Sequence, residues 1–449
     1  MYFTIGWSRA NHSQKNLRDL NAEAEEPAKT IDRNFEGLGG MRWNISKIGE
    51  APIQIIDGDR GKNYPKQSDF LDAGHCLFLN TSNVTNNGFD FSSCQFVTEE
   101  KDQMLRKGKL SRNDLVMTTR GTIGNVAFYN GQIPYENIRI NSGMVIFRPN
   151  NSEILPQFLY QYFRSPFFKG QTNSMRSGSA QPQLPIRDIN CINIPIPPVD
   201  EQKRIASILS AYDDLIENNR RRIALLEESA RLLYKEWFVH FRFPGHEHVR
   251  IVNGVPEGWE TFNVPEIIEI NPKEYVEKSK EIWYVPMACL SESGMTIDVR
   301  DFEKRTTHTC TKFKNGDVLF PRITPCLENG KTGLVQFIES DEVACGSTEF
   351  IVLRGRKVSS EFTYCLSRTF DFRENAIKSM VGSSGRQRVQ VSCFDDFAIA
   401  LPPSLLLKQF DEVANANFSQ IRNLTVQNQK LSQARDLLLP RLMNGELAV

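Results

Sequence analysis

Two long stretches of the chain carry apolar residues at alternating spacings of four and three. The seam positions of the first stretch include Leu209, Ile216, Asn219, Ile223, Leu226 and Leu233. Those of the second include Ile421, Leu424, Asn428, Leu431 and Leu438. A strict seven-residue repeat predicts α-helices that supercoil against a partner helix. At 1.5 Å per residue, each predicted helix would span roughly 55–60 Å.

The same pattern precedes both predicted helices. Ile194–Pro198 and Ile399–Pro403 are apolar runs that end in Pro-Pro, and they lie 205 residues apart. A loop rich in Ser and Gly precedes each run. Self-similarity at a fixed spacing is typical of duplicated structural units. The sequence therefore predicts an internal repeat with pseudo-two-fold symmetry.

The partner of each long helix is predicted to be the other long helix of the same chain, packed antiparallel. In the favoured register Asn219 faces Asn428, where a mutual hydrogen bond would limit the cost of burying them. The apolar pairs of this register are Leu209 with Leu438, Ile216 with Leu431, and Ile223 with Leu424. The alternative, in which each helix packs only on its own globular unit, stays open on the sequence.

The segments outside the helices predict mixed globular domains. Alternating apolar and polar residues bounded by Gly and Asn indicate strands and hairpins, and Asp114–Met117 resembles Asp317–Phe320. Short helices with aromatic faces are predicted near residues 156–168 and 361–373. The predicted fold class is α/β (α+β), with two mixed globular domains joined by two long antiparallel coiled-coil helices.

These patterns divide the chain into five segments. The predicted segments are a polar leader at 1–40, a first globular domain at 41–197, a first spacer helix at 198–243, a second globular domain at 244–402 and a second spacer helix at 403–449.

Composition and charge narrow the functional class. The 54 basic and 54 acidic residues balance, but between Arg106 and Arg120 five basic residues accompany one acid, and between Arg354 and Arg388 eight accompany three. Such local excess favours either a nucleic-acid partner or ordinary surface charge. Nine scattered cysteines without a C-x-x-C pair favour reduced thiols and a cytoplasmic location. No apolar run reaches the roughly 20 residues of a membrane span.

Chemistry-bearing motifs are incomplete. Gly330-Lys331-Thr332 resembles the end of a phosphate-binding loop, but Pro325 stands where that loop requires Gly. Asn271–Glu274 lacks the second proline and the aromatic residue of an adenine methyltransferase motif. The six histidines contain no H-E-x-x-H pair. We therefore expect neither a catalytic centre nor a metal site in this chain.

Taken together, these features resemble the specificity subunit of a type I restriction-modification enzyme. The resemblance extends from Met41 onward and rests on Ser177–Leu184, on the Pro-Pro-Val-Asp-Glu-Gln helix start at 197–202 and on the closing segment Leu438–Leu447. The second helix start differs, since Leu406-Leu407 stands where the first has Glu201-Gln202.

The resemblance implies a function. The two globular domains would be target recognition domains, each reading one half of a bipartite double-stranded DNA site, and the helices would be spacers that set the distance between the halves. Methyltransferase subunits that use S-adenosylmethionine would dock on the helices, and an ATP-driven restriction subunit would join them. This chain itself would be non-catalytic, would hold no cofactor and would have no membrane partner.

Candidate DNA-binding residues lie on polar loops, because Arg, Lys, Asn and Gln can pair with base edges. The candidates in the first domain are Arg60, Lys62, Asn63, Tyr64, Arg120, Thr122, Arg176, Ser179, Gln181 and Gln183. Those in the second domain are Arg322, Thr324, Ser384, Arg386, Gln387 and Arg388. The alternatives are a β-turn with solvated charges for the loop at 57–65 and an interdomain hinge for the two Ser/Gly-rich loops.

Two other functional classes remain open on the sequence. One is a coiled-coil scaffold for proteins alone, which would not require polar, basic loops in duplicate. The other is a self-sufficient DNA-modifying enzyme, which would require the methyltransferase motif that the chain lacks.

Overall fold

A computed structural model describes residues 43–175, 182–277, 279–306, 309–383 and 385–447. These residues form two compact units. The N-terminal unit contains described residues up to 216 together with 430–447, and the central unit contains 217–429. The division falls within both long helices, because each helix contributes one part to each unit.

The N-terminal unit is built mainly from short strands. Its strands are β1 Asn44–Lys47, β2 Ile53–Asp57, β3 Cys76–Leu79, β4 Val84–Thr85, β5 Gly88–Phe89, β6 Phe96–Val97, β7 Leu115–Thr118, β8 Val126–Phe128, β9 Ile138–Ile140, β10 Met144–Pro149 and β11 Asn193–Ile196. Its short helices are α1 Glu99–Met104, α2 Pro156–Arg164, α3 Pro166–Ser174 and α4 Ile186–Ile189. The first long helix, α5, spans Val199–Tyr234 and continues as a π-helical turn at Lys235–Val239.

The central unit repeats this plan. Its strands are β12 Ile251–Val252, β13 Val255–Pro256, β14 Glu260–Asn263, β15 Ile268–Ile270, β16 Ile282–Val285, β17 Glu303–Arg305, β18 Thr311–Lys314, β19 Val318–Pro321, β20 Gly333–Leu334, β21 Val343–Gly346, β22 Phe350–Gly355 and β23 Ala398–Leu401. Its short helices are α6 Val264–Ile267, α7 Ser360–Ser367 and α8 Phe370–Lys378. The second long helix, α9, spans Ser404–Met443.

Each unit contains a four-stranded antiparallel sheet with a core on both faces. The strand orders are β2-β10-β7-β8 and β15-β22-β19-β20. Successive residues of a strand point to opposite faces. Accordingly Leu115 and Met117 join the core under the short helices, whereas Val116 joins the core between this sheet and the three-stranded sheet β6-β3-β9. Val318 and Leu319 divide in the same way in the central unit.

One buried ion pair occurs at the same place in both sheets. Arg148 on β10 donates from Nε and Nη2 to the carboxylate of Asp114, at 2.8 and 2.7 Å. Arg354 on β22 donates from the same two nitrogens to Asp317, at 2.7 Å each. Both aspartates are almost fully buried. The arginine lies on β10 in one unit and on β22 in the other, and the aspartate directly precedes β7 and β19. These pairs therefore show which residues of the two sheets are equivalent.

The long helices pack antiparallel within the central unit. Asn219 Nδ2 donates to Asn428 Oδ1 at 3.0 Å, and further along, Phe238 packs against Phe410 with ring centroids 5.0 Å apart. The predicted pairing of Asn219 with Asn428 is therefore present. The buried seam positions are Leu209, Ile216, Asn219, Ile421 and Leu424, and the half-buried ones are Ile223, Leu226, Leu233, Asn428, Leu431 and Leu438.

The helix ends belonging to the N-terminal unit are held by polar contacts. Asp213 accepts hydrogen bonds from Gln161 and Arg164 on α2, each at 2.7 Å, and from Arg435 on α9 at 2.8 Å. Gln202 is fully buried at the start of α5 and bonds the backbone of Leu155, Glu153 and Pro197. The predicted fold class, two mixed units with long helices, is confirmed. Among the described helices, none combines the length and apolarity that crossing a bilayer requires.

Candidate DNA interface

In the N-terminal unit, two of the predicted loops meet at the end of β7. Arg120, just after β7, forms an antiparallel bridge with Gln183, and Leu184 N donates to Thr119 O at 3.0 Å. Arg120 and Thr122 are exposed on the resulting turn. The turn after β7 and the end of the Ser/Gly-rich loop thus form one surface. The predicted residues Arg176, Ser179 and Gln181 lie outside the described residues.

The loop at 57–65 is anchored to its surroundings. Asp59 accepts from Gly61 N and Arg106 N, each at 2.7 Å. Arg60 Nη2 donates to Asp57 Oδ1 at 3.2 Å and to Ser142 O at 3.4 Å. Ser142 lies beside Gly143, whose carbonyl bonds Thr119, so Arg60 approaches the surface formed by Arg120 and Gln183.

The remaining predicted residues of this loop differ in exposure. Asn63 Nδ2 donates to Met104 O at 3.2 Å, and the ring of Tyr64 packs edge-on against Phe78 at 5.8 Å. These two side chains hold the loop in place. Lys62 is exposed. Within this loop, the basic side chains that face solvent are therefore Arg60 and Lys62.

In the central unit the corresponding segments also meet. Ile323 bridges to Arg388, and Val389 N donates to Arg322 O at 2.8 Å. Thr324 donates from its backbone and its hydroxyl to Gln387 O, at 3.1 and 3.3 Å. Arg386 is exposed on the same loop, and the predicted residue Ser384 lies outside the described residues.

Arg388 is fixed by an ion pair that crosses this surface. Its Nε lies 3.0 and 2.9 Å from the two carboxylate oxygens of Glu349, and its Nη2 lies 2.6 Å from Oε1. The hydrogen bonds from Arg388, helped by the charges of Arg388 and Arg322, hold the pKa of Glu349 below its ordinary value. Glu349 was not among the predicted residues, because its contact with Arg388 is distant in sequence.

The backbone contacts define which residues of the two units are equivalent. Thr119 N donates to Gly143 O, and Arg322 N donates to Glu349 O, at 2.8 and 2.9 Å. Thr119 therefore corresponds to Arg322, and Gly143 to Glu349. The bridges make Gln183 the counterpart of Arg388. Arg120 and Arg322, both predicted DNA-binding residues, are therefore not equivalent, because Arg120 corresponds to Ile323.

An exposed aromatic residue that was not among the predicted ones follows the equivalent strand of the central sheet. Ile55 pairs with Phe147, and Ile270 pairs with Leu353 at the equivalent place in the central sheet. Tyr275 lies five residues after Ile270, as Arg60 lies five residues after Ile55. Its side chain is 87% exposed, the largest value among the exposed apolar side chains described. The signal in the sequence is an aromatic residue within a polar loop directly after an apolar strand.

Much of the local basic excess is used inside the units. Lys109 pairs with the buried Asp102 at 2.6 Å, and Arg112 donates to three backbone carbonyls. Arg354 pairs with Asp317 and Glu274, and Arg368 donates to the backbone carbonyls of Ser293 and Gly330 on two loops. The charge counts therefore overstated the basic surface. The described residues contain no group of three His, Cys, Asp or Glu arranged to hold a metal ion.

Comparison with known proteins gives the family. The family model "Type I restriction modification DNA specificity domain" matches residues 42–228 and again 256–413. The chain therefore belongs to the family of type I restriction-modification DNA specificity proteins, with two such domains.

Individual relatives agree with this assignment. The chain is 26% identical over 351 residues to the type I restriction enzyme MjaIX specificity subunit of Methanocaldococcus jannaschii, covering 75% of this chain and 78% of that protein. It is 23% identical over 459 residues to the HindI specificity subunit of Haemophilus influenzae, covering 87% and 98%. The crystal structure of an S subunit from M. genitalium shares the fold, with a TM-score of 0.51 at 14% identity over 90% of this chain and 96% of that one.

Proposed function

We propose that this chain is the DNA sequence-specificity subunit of a type I restriction-modification complex. The observation that carries the proposal is the duplicated surface. In each unit the turn after β7 or β19 is bridged to the Ser/Gly-rich loop. The bridge joins Arg120 to Gln183 in the N-terminal unit and Ile323 to Arg388 in the central unit. Two similar but non-identical reading surfaces suit a DNA site with two different halves.

The predicted globular domains at 41–197 and 244–402 are then target recognition domains. Each reads one half-site, and the long helices hold the two half-sites a fixed number of base pairs apart. Stiff paired helices can set such a distance, whereas a flexible Gly/Ser linker cannot. The Asn219–Asn428 pair supports this role, because a polar pair within an apolar seam fixes the alignment of the helices.

The exposed faces of the helices support a protein partner. Leu225 and Leu232 lie seven residues apart on α5 and are 65% and 53% exposed. Because residues seven apart lie on one helix face, the two leucines form an apolar surface that a protein partner can cover. We propose that methyltransferase subunits dock on these helices and that restriction subunits join the assembly. In this proposal the partners bind S-adenosylmethionine and ATP, and this chain is non-catalytic.

The proposal is tested by selection from DNA of random sequence. The full-length chain, alone and co-expressed with the methyltransferase subunits of its host, is incubated with a pool of random duplexes, and the bound DNA is sequenced. We expect two short defined segments separated by a constant number of unspecified base pairs. Retention of DNA without any sequence preference would contradict the proposal. No retention of DNA, with assembly of protein partners intact, would favour the scaffold alternative.

A further inference from the structure

The ion pair between Arg388 and Glu349 leaves part of the guanidinium unused. Arginine carries five N–H groups in a planar fork. Glu349 engages Arg388 through Nε and Nη2 only, and Nη1 makes no hydrogen bond to any residue that the structure describes. Nearly half of the Arg388 side chain is exposed. The end of the fork, formed by Nη1 and the outer N–H of Nη2, is therefore available to a ligand.

This geometry suits one ligand group in particular. The two outer N–H groups of arginine match the O6 and N7 acceptors on the major-groove edge of guanine, which is the commonest specific contact between proteins and DNA. A carboxylate that holds Nε and Nη2 fixes the plane of the fork, so less side-chain freedom is lost on binding. Glu349 is the residue that supplies this carboxylate.

The surroundings of the pair are cationic. Residues 379–394 contain Arg386 and Arg388 and no acidic residue. Arg322 donates from its backbone N to Glu349 O at 2.9 Å and from Nη2 to Val389 O at 3.2 Å, and its buried Nε has no hydrogen-bond partner among the described residues. The segment 379–394 thus adds two arginines and no acidic residue at the pair, which favours the attraction of DNA.

The two units carry different residues at this position. Gln183 is the counterpart of Arg388, and Gly143 is the counterpart of Glu349. Arginine pairs with guanine, whereas glutamine pairs with the N6 and N7 groups of adenine. One structurally defined position therefore offers different base-reading chemistry in the two units, as expected of a residue that determines specificity.

We propose that Arg388 contacts guanine at one base pair of the half-site read by the central unit, and that Glu349 is the positioning residue that orients it. This inference rests on the proposed function and deepens it, since it assigns one base to one side chain. A phosphate contact by Arg388 is the competing role. That role would leave the base preference unchanged and weaken binding to all sequences alike.

The test compares four single substitutions in the full-length chain by selection from the random duplex pool. Arg388→Lys keeps the charge and removes the fork, and Arg388→Gln copies the residue of the equivalent position. Glu349→Gln keeps the shape and removes the charge that orients Arg388. Arg242→Lys is the matched control, because Arg242 forms an exposed ion pair with Glu236 elsewhere in the central unit.

We expect the three variants at Arg388 and Glu349 to lose preference for guanine at the same single base pair. The expected loss of discrimination is about 5- to 150-fold, the range of one bidentate base contact. The other half-site and the separation of the halves should stay unchanged, and Arg242→Lys should select the wild-type sequence.

Two results overturn the inference while sparing the proposed function. One is a wild-type bipartite sequence in all four variants. The other is weaker binding by the Arg388 variants that is uniform across sequences. A wild-type chain that selects no bipartite sequence overturns both proposals at once. Thermal unfolding of each variant checks that the central unit remains folded, so that a folding defect cannot pass for lost specificity.

Discussion

Asn219 and Asn428 meet at the seam between the two long helices, with Nδ2 of the first 3.0 Å from Oδ1 of the second. Asn219 Nδ2 also lies 3.2 Å from Gln427 Oε1, and only 5% of Asn219 is exposed. An amide buried in an otherwise apolar seam costs stability, but it penalises every register in which it would face an apolar residue. The pair therefore specifies alignment.

Replacing both asparagines by leucine should raise the stability of the chain but loosen the alignment of the two long helices. We expect Asn219→Leu with Asn428→Leu to raise the free energy of unfolding by about 1 kcal/mol, because two amides no longer require burial. The same double variant should accept DNA sites with more than one separation between the half-sites. Denaturant unfolding and selection from random duplexes measure the two effects. A fall in stability of more than about 1 kcal/mol would argue against the role of this pair.

Gln202 should be essential for the position of the first long helix. Its buried amide bonds Leu155 N at 2.8 Å, Glu153 O at 2.8 Å and Pro197 O at 2.9 Å. Gln202→Ala leaves these backbone groups without their partner, so we expect a loss of about 3 kcal/mol in the free energy of unfolding. Lys203→Ala is the matched control, since Lys203 is exposed on the next position of the same helix. Equal stabilities for the two variants would show that the buried hydrogen bonds of Gln202 do not hold the first long helix in position.

The carboxylate of Asp213 should make stability depend on pH. Burial opposes its ionisation, but the charges of Arg164 and Arg435 and the hydrogen bonds from Arg164 and Gln161 outweigh it and lower the pKa of Asp213. A lowered pKa in the folded state stabilises fully above the ordinary value of 3.8, and the stabilisation disappears as the pH falls through the folded-state pKa.

Asp213→Asn tests this dependence directly. At pH 7 we expect a loss of about 2 kcal/mol, because two partly buried arginines lose their ionised partner. The difference from the wild type should shrink as the pH is lowered past 3.8. Denaturant midpoints measured over this range provide the comparison. A difference that does not change with pH would mean that the side chain acts through its shape and not through its charge.

The exposed leucines of the first long helix should govern assembly. Leu225→Asp with Leu232→Asp places charges on a face that we propose is covered by methyltransferase subunits, so association should weaken at least about tenfold. Asn151→Asp adds a charge to an exposed turn outside both long helices and is the control. Size-exclusion chromatography of the co-expressed proteins measures the complex. Intact assembly of the double leucine variant would exclude this face as the docking site.

The sequence was most informative where structure depends on local pattern. The heptad spacing predicted the two helices and the pairing of Asn219 with Asn428, because a repeat of seven places its residues along one helix face. The division of each sheet between two cores was not predicted. Runs such as Leu115–Thr118 are buried on both faces and show no alternation of apolar and polar residues.

The candidate interface was predicted only in part, because its contacts join segments that are distant in sequence. The loops were identified by composition, but their partners come from distant strands. Glu349 was missed because only the fold brings it to Arg388. Arg120 and Arg322 each follow matching strands in the sequence, but the backbone hydrogen bonds and bridges make Ile323 the counterpart of Arg120.

The most direct test of the account changes the length of the helices. Arg220–Leu226 and Ile421–Gln427 face each other in the register set by Asn219 and Asn428, and both segments can be duplicated together to add one heptad to each helix. Seven residues add ~10 Å, or about three base pairs. We predict that the lengthened chain selects the same two half-sites with about three more base pairs between them. An unchanged separation, with both half-sites still selected, would contradict the claim that the paired helices set the distance between the two halves of the DNA site.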